Sequence, residues 1–170
     1  MWAFTRASGS LSRMGVEIER KFLVAGAGWR ALVRGPGLAM RQGYLATGGA
    51  QAPGVRVRLA GDAAWLTVKG PGGLVRAEFE YAIPVADALG LLALCPWPAI
   101  EKTRWEVPHA GHLWTVDEFH APTRLAGLVL AEVELARADI APALPDWLGA
   151  EVTEDPRYSN AALAAALAAP

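Results

Sequence analysis

The sequence has a single cysteine, Cys95, so it can form neither an internal disulfide nor a thiolate cage for a metal. The apolar setting of that residue, Leu91-Leu92-Ala93-Leu94-Cys95, predicts a buried thiol rather than a nucleophile, and it suits a reducing, cytoplasmic home. Histidine is scarce as well. His109, His112 and His120 show no repeated ligand spacing and read as surface or structural residues. No apolar run reaches the roughly 18 residues needed to cross a bilayer, which argues against a membrane partner. A formal net charge of −1 excludes the broad basic footprint of a duplex nucleic-acid binder. Gly70-Pro71-Gly72-Gly73 lacks the following Lys-Ser/Thr and helix of a phosphate loop and reads as a turn. Residues 1–15 are rich in Ser, Gly and Arg and have no apolar h-region, so they read as a flexible extension rather than a secretory signal. Residues 16–170 then form one domain, long enough to bury a substantial core.

What the sequence does have is alternation. In residues 16–24, Val16, Ile18, Arg20 and Phe22 fall on one face of a strand and Glu17, Glu19 and Lys21 on the other. Further strands read over 40–46, 55–59, 64–69, 75–83, 101–107, 113–119 and 128–135, with Gly61-Asp62 marking a hairpin turn. Short helices read over 28–34, ended by Gly35-Pro36-Gly37, over 85–94, and over 158–168. About eight strands with few, peripheral helices predict a mainly β (α+β) fold, an antiparallel sheet closed or nearly closed on itself.

Ionisable side chains occupy alternate positions on strand after strand. The acids are Glu17, Glu19, Glu78, Glu80, Asp117, Glu132 and Glu134; the bases are Lys21, Arg56, Arg58, Lys69, Arg76, Lys102 and Arg104. Two arrangements give this pattern: charged faces turned to water over an ordinary core, or charges lining a barrel whose apolar faces pack outward. Arginine pairs suit the forked recognition of phosphate oxygens, and lysines add point charges. Carboxylate clusters suit Mg²⁺ or Mn²⁺, which take oxygen ligands and phosphate co-ligands. A cavity holding both sets would suit a metal-bound polyphosphate. The tryptophans (Trp2, Trp29, Trp65, Trp97, Trp105, Trp114 and Trp147) read as outer-face packing and helix contacts, and Tyr44 as a buried structural residue.

Glu17-x-Glu19-x-Lys21 resembles the E-x-E-x-K signature of the CYTH family, the triphosphate tunnel metalloenzymes. The order of Arg56-x-Arg58, Lys69, Arg76-x-Glu78-x-Glu80, Lys102-x-Arg104, Asp117 and Glu132-x-Glu134 is similar too. So are the E-I-E-R-K-F-L-V opening, the R-Q-G-Y-L segment around Tyr44 and the V-T-E-D-P-R-Y-S-N stretch, which look like the short bacterial members.

The resemblance implies an eight-stranded antiparallel barrel, a tunnel that binds a triphosphate with Mg²⁺ or Mn²⁺. By position, Glu17, Glu19, Asp117, Glu132 and Glu134 would hold metal. Lys21, Arg56, Arg58, Lys69, Arg76, Lys102 and Arg104 would hold phosphate. Glu78 and Glu80 would orient the bases or bind a second metal. Glu19, Lys69 and Lys102 are the implied catalytic residues, the lysines acting at the bridging or departing oxygen. The expected activity is hydrolysis of inorganic tripolyphosphate. The alternatives are an organic triphosphate enzyme (thiamine triphosphatase or adenylyl cyclase) and a non-catalytic polyphosphate binder. A homodimer is compatible with the resemblance and not required by the sequence. On this reading Glu19→Gln abolishes metal-dependent phosphate release and leaves the circular dichroism spectrum intact; near-normal turnover by the variant contradicts the assignment.

Overall fold

The computed structural model describes residues 13–48, 51–71, 74–120 and 124–168; most of the expected extension, 1–12, and Gly72-Gly73 of the expected turn lie outside the described residues. The strands are β1 (Arg13–Val24), β2 (Arg34–Thr47), β3 (Gly54–Ala60), β4 (Ala63–Lys69), β5 (Val75–Ile83), β6 (Ile100–His109), β7 (His112–Phe119), β8 (Val129–Glu134) and β9 (Leu148–Glu151). Two α-helices, α1 (Val85–Ala93) and α2 (Asn160–Leu167), and two single 3₁₀ turns complete the fold.

All pairings are antiparallel, and neighbours run β5-β4-β3-β2-β6-β7-β8-β1 around the sheet. β1 closes the ring. Its first half pairs with β5 (Glu17 opposite Arg76) and its second half pairs with β8 (Lys21 opposite Glu132). The edge that β5 leaves on β1 is taken by β9, with Phe22 opposite Glu151. Eight strands thus form a closed barrel, which removes the exposed edges an open sheet would carry.

The expected elements recur with three differences. The 28–34 helix is a 3₁₀ turn over Gly28–Leu32, and β2 begins at Arg34, six residues before the expected strand. Gly35 adopts φ +70° there, and the register to β6 shifts between Arg34 and Leu38. The Gly-Pro-Gly stretch that reads as a helix stop is therefore a bulge within a strand, a conformation glycine adopts without a Cβ penalty. β1 starts at Arg13, because β5 is long enough to pair with it as far as Glu80. β9 has four residues and no alternation of its own, so it carries no readable signal.

Alternation places the apolar residues in three clusters. Phe22, Val107, Trp114, Val116, Ala131 and Val133 form an outer core on β1, β6, β7 and β8, covered by Trp29 and Trp147. Val57 and Ala64 form a second outer core with Ala88 of α1. Gly43 permits that approach, since a Cβ there would lie 2.7 Å from Cys95 Sγ. The third cluster is inside the barrel. Tyr44, Ile100, Phe119 and Leu130 share the strand phase of Lys102, Asp117 and Glu132, and they cluster with Leu163 and Ala164 of α2. The helix therefore plugs the interior on that side, held at its start by Ser159 Oγ, which accepts from Ala162 N at 3.1 Å. Among the described residues no helix is long and apolar enough to cross a membrane.

Trp114 is wholly buried, with ring contacts to Phe22 and Trp147 at 5.6 and 6.0 Å, and its indole N–H has no partner. Trp114→Ala should lower the unfolding free energy by about 3–5 kcal/mol, read from the urea midpoint. Trp114→Phe should cost well under half as much, since it removes an unsatisfied donor; equal losses would contradict this packing.

Candidate active site

The charged strand residues face inward and form three networks. In the first, Arg104 donates to Asp117 through Nε and Nη2, both at 2.7 Å, and Nη2 reaches Glu132 at 2.9 Å. Lys102 donates to Asp117 at 2.5 Å and to Asn160 Oδ1 of α2 at 3.2 Å. Lys21 pairs with Glu132 at 2.9 Å and Glu19 at 3.5 Å, and donates to the Tyr158 carbonyl at 3.4 Å. In the second, Glu17 accepts from Lys69 at 2.7 and 2.8 Å and from Arg76 at 2.9 Å; Lys69 also pairs with Glu78 at 3.4 Å. In the third, Glu80 accepts from Thr67 at 2.8 Å, from Arg56 at 3.3 Å and from Arg58 at 3.1 and 3.2 Å.

Register explains these contacts. Arg104 lies opposite Asp117, Lys21 opposite Glu132, Glu17 opposite Arg76, and Lys69 opposite Glu78. Side chains so placed stand about 4.5–5.5 Å apart at Cβ, within reach of one hydrogen bond between long polar groups. Burial makes the pairing obligatory. Lys102 and Asp117 are each 1% exposed, and an unpaired charge there would be strongly disfavoured.

The protonation states follow from the same geometry. Burial would raise the Glu17 carboxyl, but Lys69 and Arg76 outweigh it and hold it at about 2. Burial likewise opposes ionisation of Asp117 and Glu132, and the adjacent Arg104, Lys102 and Lys21 keep both below the usual carboxylate range. Glu19 is the exception. Burial and the neighbouring Glu132 push it up to about 7, with Lys21 only partly compensating. Burial brings Lys102 down to about 8 despite Asp117. Burial and the adjacent Arg56 bring Arg58 down to about 10.

Each of the fourteen charged residues expected in the site lies on the inward strand phase, and Glu134 alone among them is exposed, opposite Glu19 in register. Glu78 contacts Lys69, and Glu80 contacts Arg56 and Arg58. The five carboxylates expected at a metal are not gathered as one: among the described residues no three His, Cys, Asp or Glu side chains converge as a metal-holding group. Glu17, Glu19, Asp117 and Glu132 contact Lys or Arg instead.

Five participants escape the sequence reading. Thr67 and Gln42 are buried in the interior phase, and Gln42 Nε2 donates to Tyr44 Oη at 3.1 Å. Trp65 faces inward with the Arg58 guanidinium 5.2 Å from its ring, a correction to the expectation that every tryptophan packs outside. Asn160 and the Tyr158 carbonyl enter from the C-terminal segment. Strand phase could have marked Thr67, which alternates in step with Lys69; nothing local marks Gln42 or Asn160. Cys95 is half-buried rather than fully buried. The histidines do not assemble: His109 and His112 face each other across the β6–β7 hairpin, while His120 Nε2 lies 2.8 Å from Thr103 Oγ1.

A closed antiparallel barrel lined by matched acids and bases and plugged by a helix defines a charged β-tunnel protein. Residues 15–165 match the CYTH domain, and the chain belongs to the CYTH family. It is 45% identical over 152 residues to an inorganic triphosphatase of Acetivibrio thermocellus, covering 88% of this chain and 94% of that protein. It is 42% identical over 157 residues to one from Nitrosomonas europaea, covering 87% and 96%. The crystal structure of the inorganic triphosphatase NE1496 superposes with a TM-score of 0.62 at 36% identity, covering 91% of this chain and 99% of that one.

Asp117 is the shared partner of the buried Lys102 and the half-buried Arg104. Asp117→Asn should therefore lower ligand-free stability by about 3 kcal/mol or more, measured by urea denaturation. A loss below about 1 kcal/mol would show that the Lys102 and Arg104 charges are satisfied without it.

Proposed function

We propose that this protein is a metal-dependent inorganic triphosphatase that hydrolyses tripolyphosphate to diphosphate and phosphate inside the barrel. One observation carries the reading: Lys21, Arg56, Arg58, Lys69, Arg76, Lys102 and Arg104 converge from five strands on one enclosed interior. The names of two relatives above 40% identity that cover most of the chain support it.

The charge balance bears on the metal. Seven cationic side chains face inward against seven carboxyl groups, so the interior has little surplus positive charge to neutralise a polyanion. A triphosphate entering it would draw Lys and Arg away from carboxylates, which then need positive charge of another source. The mutually repelling carboxylates of Glu19 and Glu132, once Lys21 and Arg104 turn to phosphate, are oxygen donors of the kind a hard divalent cation takes. Glu17, Glu19, Asp117, Glu132 and Glu134 would hold Mg²⁺ or Mn²⁺, which supplies Lewis-acid polarisation of phosphoryl oxygen and water.

The chain's own residues do the rest. Lys21, Arg56, Arg58, Arg76 and Arg104 bind and align the phosphates, and they stabilise charge as it moves onto the leaving diphosphate. Water adds to the terminal phosphorus as the bridging P–O bond breaks toward the diphosphate. Lys102 or Lys69 acts at the bridging or departing oxygen. Lys102, brought to about 8 by burial, can hold or release a proton near neutral pH. A cytoplasmic location accords with the single thiol, Cys95.

The test is phosphate release from tripolyphosphate, ATP and thiamine triphosphate in parallel, with Mg²⁺, with Mn²⁺ and with chelator. Metal-dependent release from tripolyphosphate, at least tenfold above the organic triphosphates, is expected. Preference for an organic triphosphate, or binding without turnover, would overturn the reading.

A further inference from the structure

Gln42 lies on β2 between Arg58 of β3 and Ile100 of β6 in register, and its side chain is wholly buried in the barrel interior. A primary amide offers two donors and an acceptor oxygen. Here Nε2 donates to Tyr44 Oη at 3.1 Å, and Oε1 has no partner. Buried polar atoms without partners are few in native proteins, and each calls for a reason. Two more occur on the neighbouring strand: Arg56 Nε and Arg58 Nε, opposite Tyr44 and Gln42 respectively. Three orphan polar atoms on two adjacent rungs mark a surface left unsatisfied by the protein itself.

Resting on the triphosphatase reading, we propose that Gln42 is a substrate-binding residue whose amide donates to a phosphoryl oxygen of bound tripolyphosphate. Phosphate oxygens are acceptors, so the amide turns by half a revolution about its terminal torsion. Nε2 then faces the phosphate, and Oε1 accepts from the Tyr44 hydroxyl. Every polar atom of the pair is used in that state, and the unpartnered Nε atoms of Arg56 and Arg58 gain acceptors from the same ligand. The residue type follows from its neighbours. Arg56 and Arg58 already repel one another, and a third cation beside them would add to that repulsion. A neutral amide supplies a donor without charge.

A residue kept for packing and one kept for substrate differ in what their loss does. Gln42→Met preserves length and removes both the orphan oxygen and the Tyr44 hydrogen bond; Gln42→Leu is the second variant. Steady-state phosphate release from tripolyphosphate at saturating Mg²⁺ and the melting temperature of the ligand-free protein are measured for both variants and the wild type. The expected result is a KM raised about tenfold or more, the effect of losing a hydrogen bond to a charged group. The ligand-free melting temperature is expected to stay within about 3 °C of wild type. An unchanged KM in either folded variant would overturn the proposal, as would a large fall in melting temperature with KM unaltered. Wild-type protein that neither hydrolyses tripolyphosphate nor is thermally stabilised by it would instead overturn the triphosphatase reading beneath it.

Discussion

Ionised side chains inside a barrel must be paired, and the rest of this structure depends on that requirement. Asp117 is held by Arg104 and Lys102, Glu17 by Lys69 and Arg76, and Glu80 by Arg56 and Arg58. None of these groups tolerates burial alone, because removing one partner leaves a charge without solvent or counterion. The pairs are therefore stable in the ligand-free protein and exchangeable in a liganded one, provided the incoming molecule brings both signs. A polyanion with a divalent cation does so; either one by itself would strand charges of one kind. Under the proposed function this gives the acid pairs a role that pure anion binding lacks.

The same requirement turns the usual layout of a β-protein inside out. Apolar strand faces point outward and need covers, which Trp29, Trp147 and α1 supply. Where α2 enters, the interior becomes apolar, around Tyr44, Ile100, Phe119 and Leu130. That plug also reaches the charged section, through Asn160 on Lys102 and the Tyr158 carbonyl on Lys21. Closure and charge placement are thus one construction. The hydrophobic plug screens one end from water, and the low dielectric beside it strengthens every remaining pair.

Much of this was legible in the sequence because strands encode facing by parity. Glu17, Glu19 and Lys21, or Arg56 and Arg58, could be assigned a common face without knowing their neighbours. Parity alone could not say whether that face met water or a tunnel; the ordered resemblance to the CYTH pattern pointed to the tunnel, and closure of β1 on β5 and β8 establishes it. Partnership was not legible. That Asp117 would sit against Arg104, or Glu17 against Lys69, depends on register, which is fixed by pairing across the barrel. Gln42 was missed for a related reason: no charged residue of β2 shares its phase, so nothing marks it as interior until its rung-mates are known, whereas Trp65 shares the phase of Lys69 and could have been placed by it. Gly35 misled because glycine and proline signal both helix ends and strand bulges.

Under the proposed function, the interior binds triphosphate and divalent metal as a linked pair. Isothermal titration of tripolyphosphate into the protein, with and without Mg²⁺ and with allowance for metal binding by the free ligand, tests it directly. Each ligand is expected to tighten the other by the same factor, at least tenfold. Tight tripolyphosphate binding that is indifferent to the metal would contradict it, and would leave the carboxylates with no function beyond neutralising their lysines and arginines.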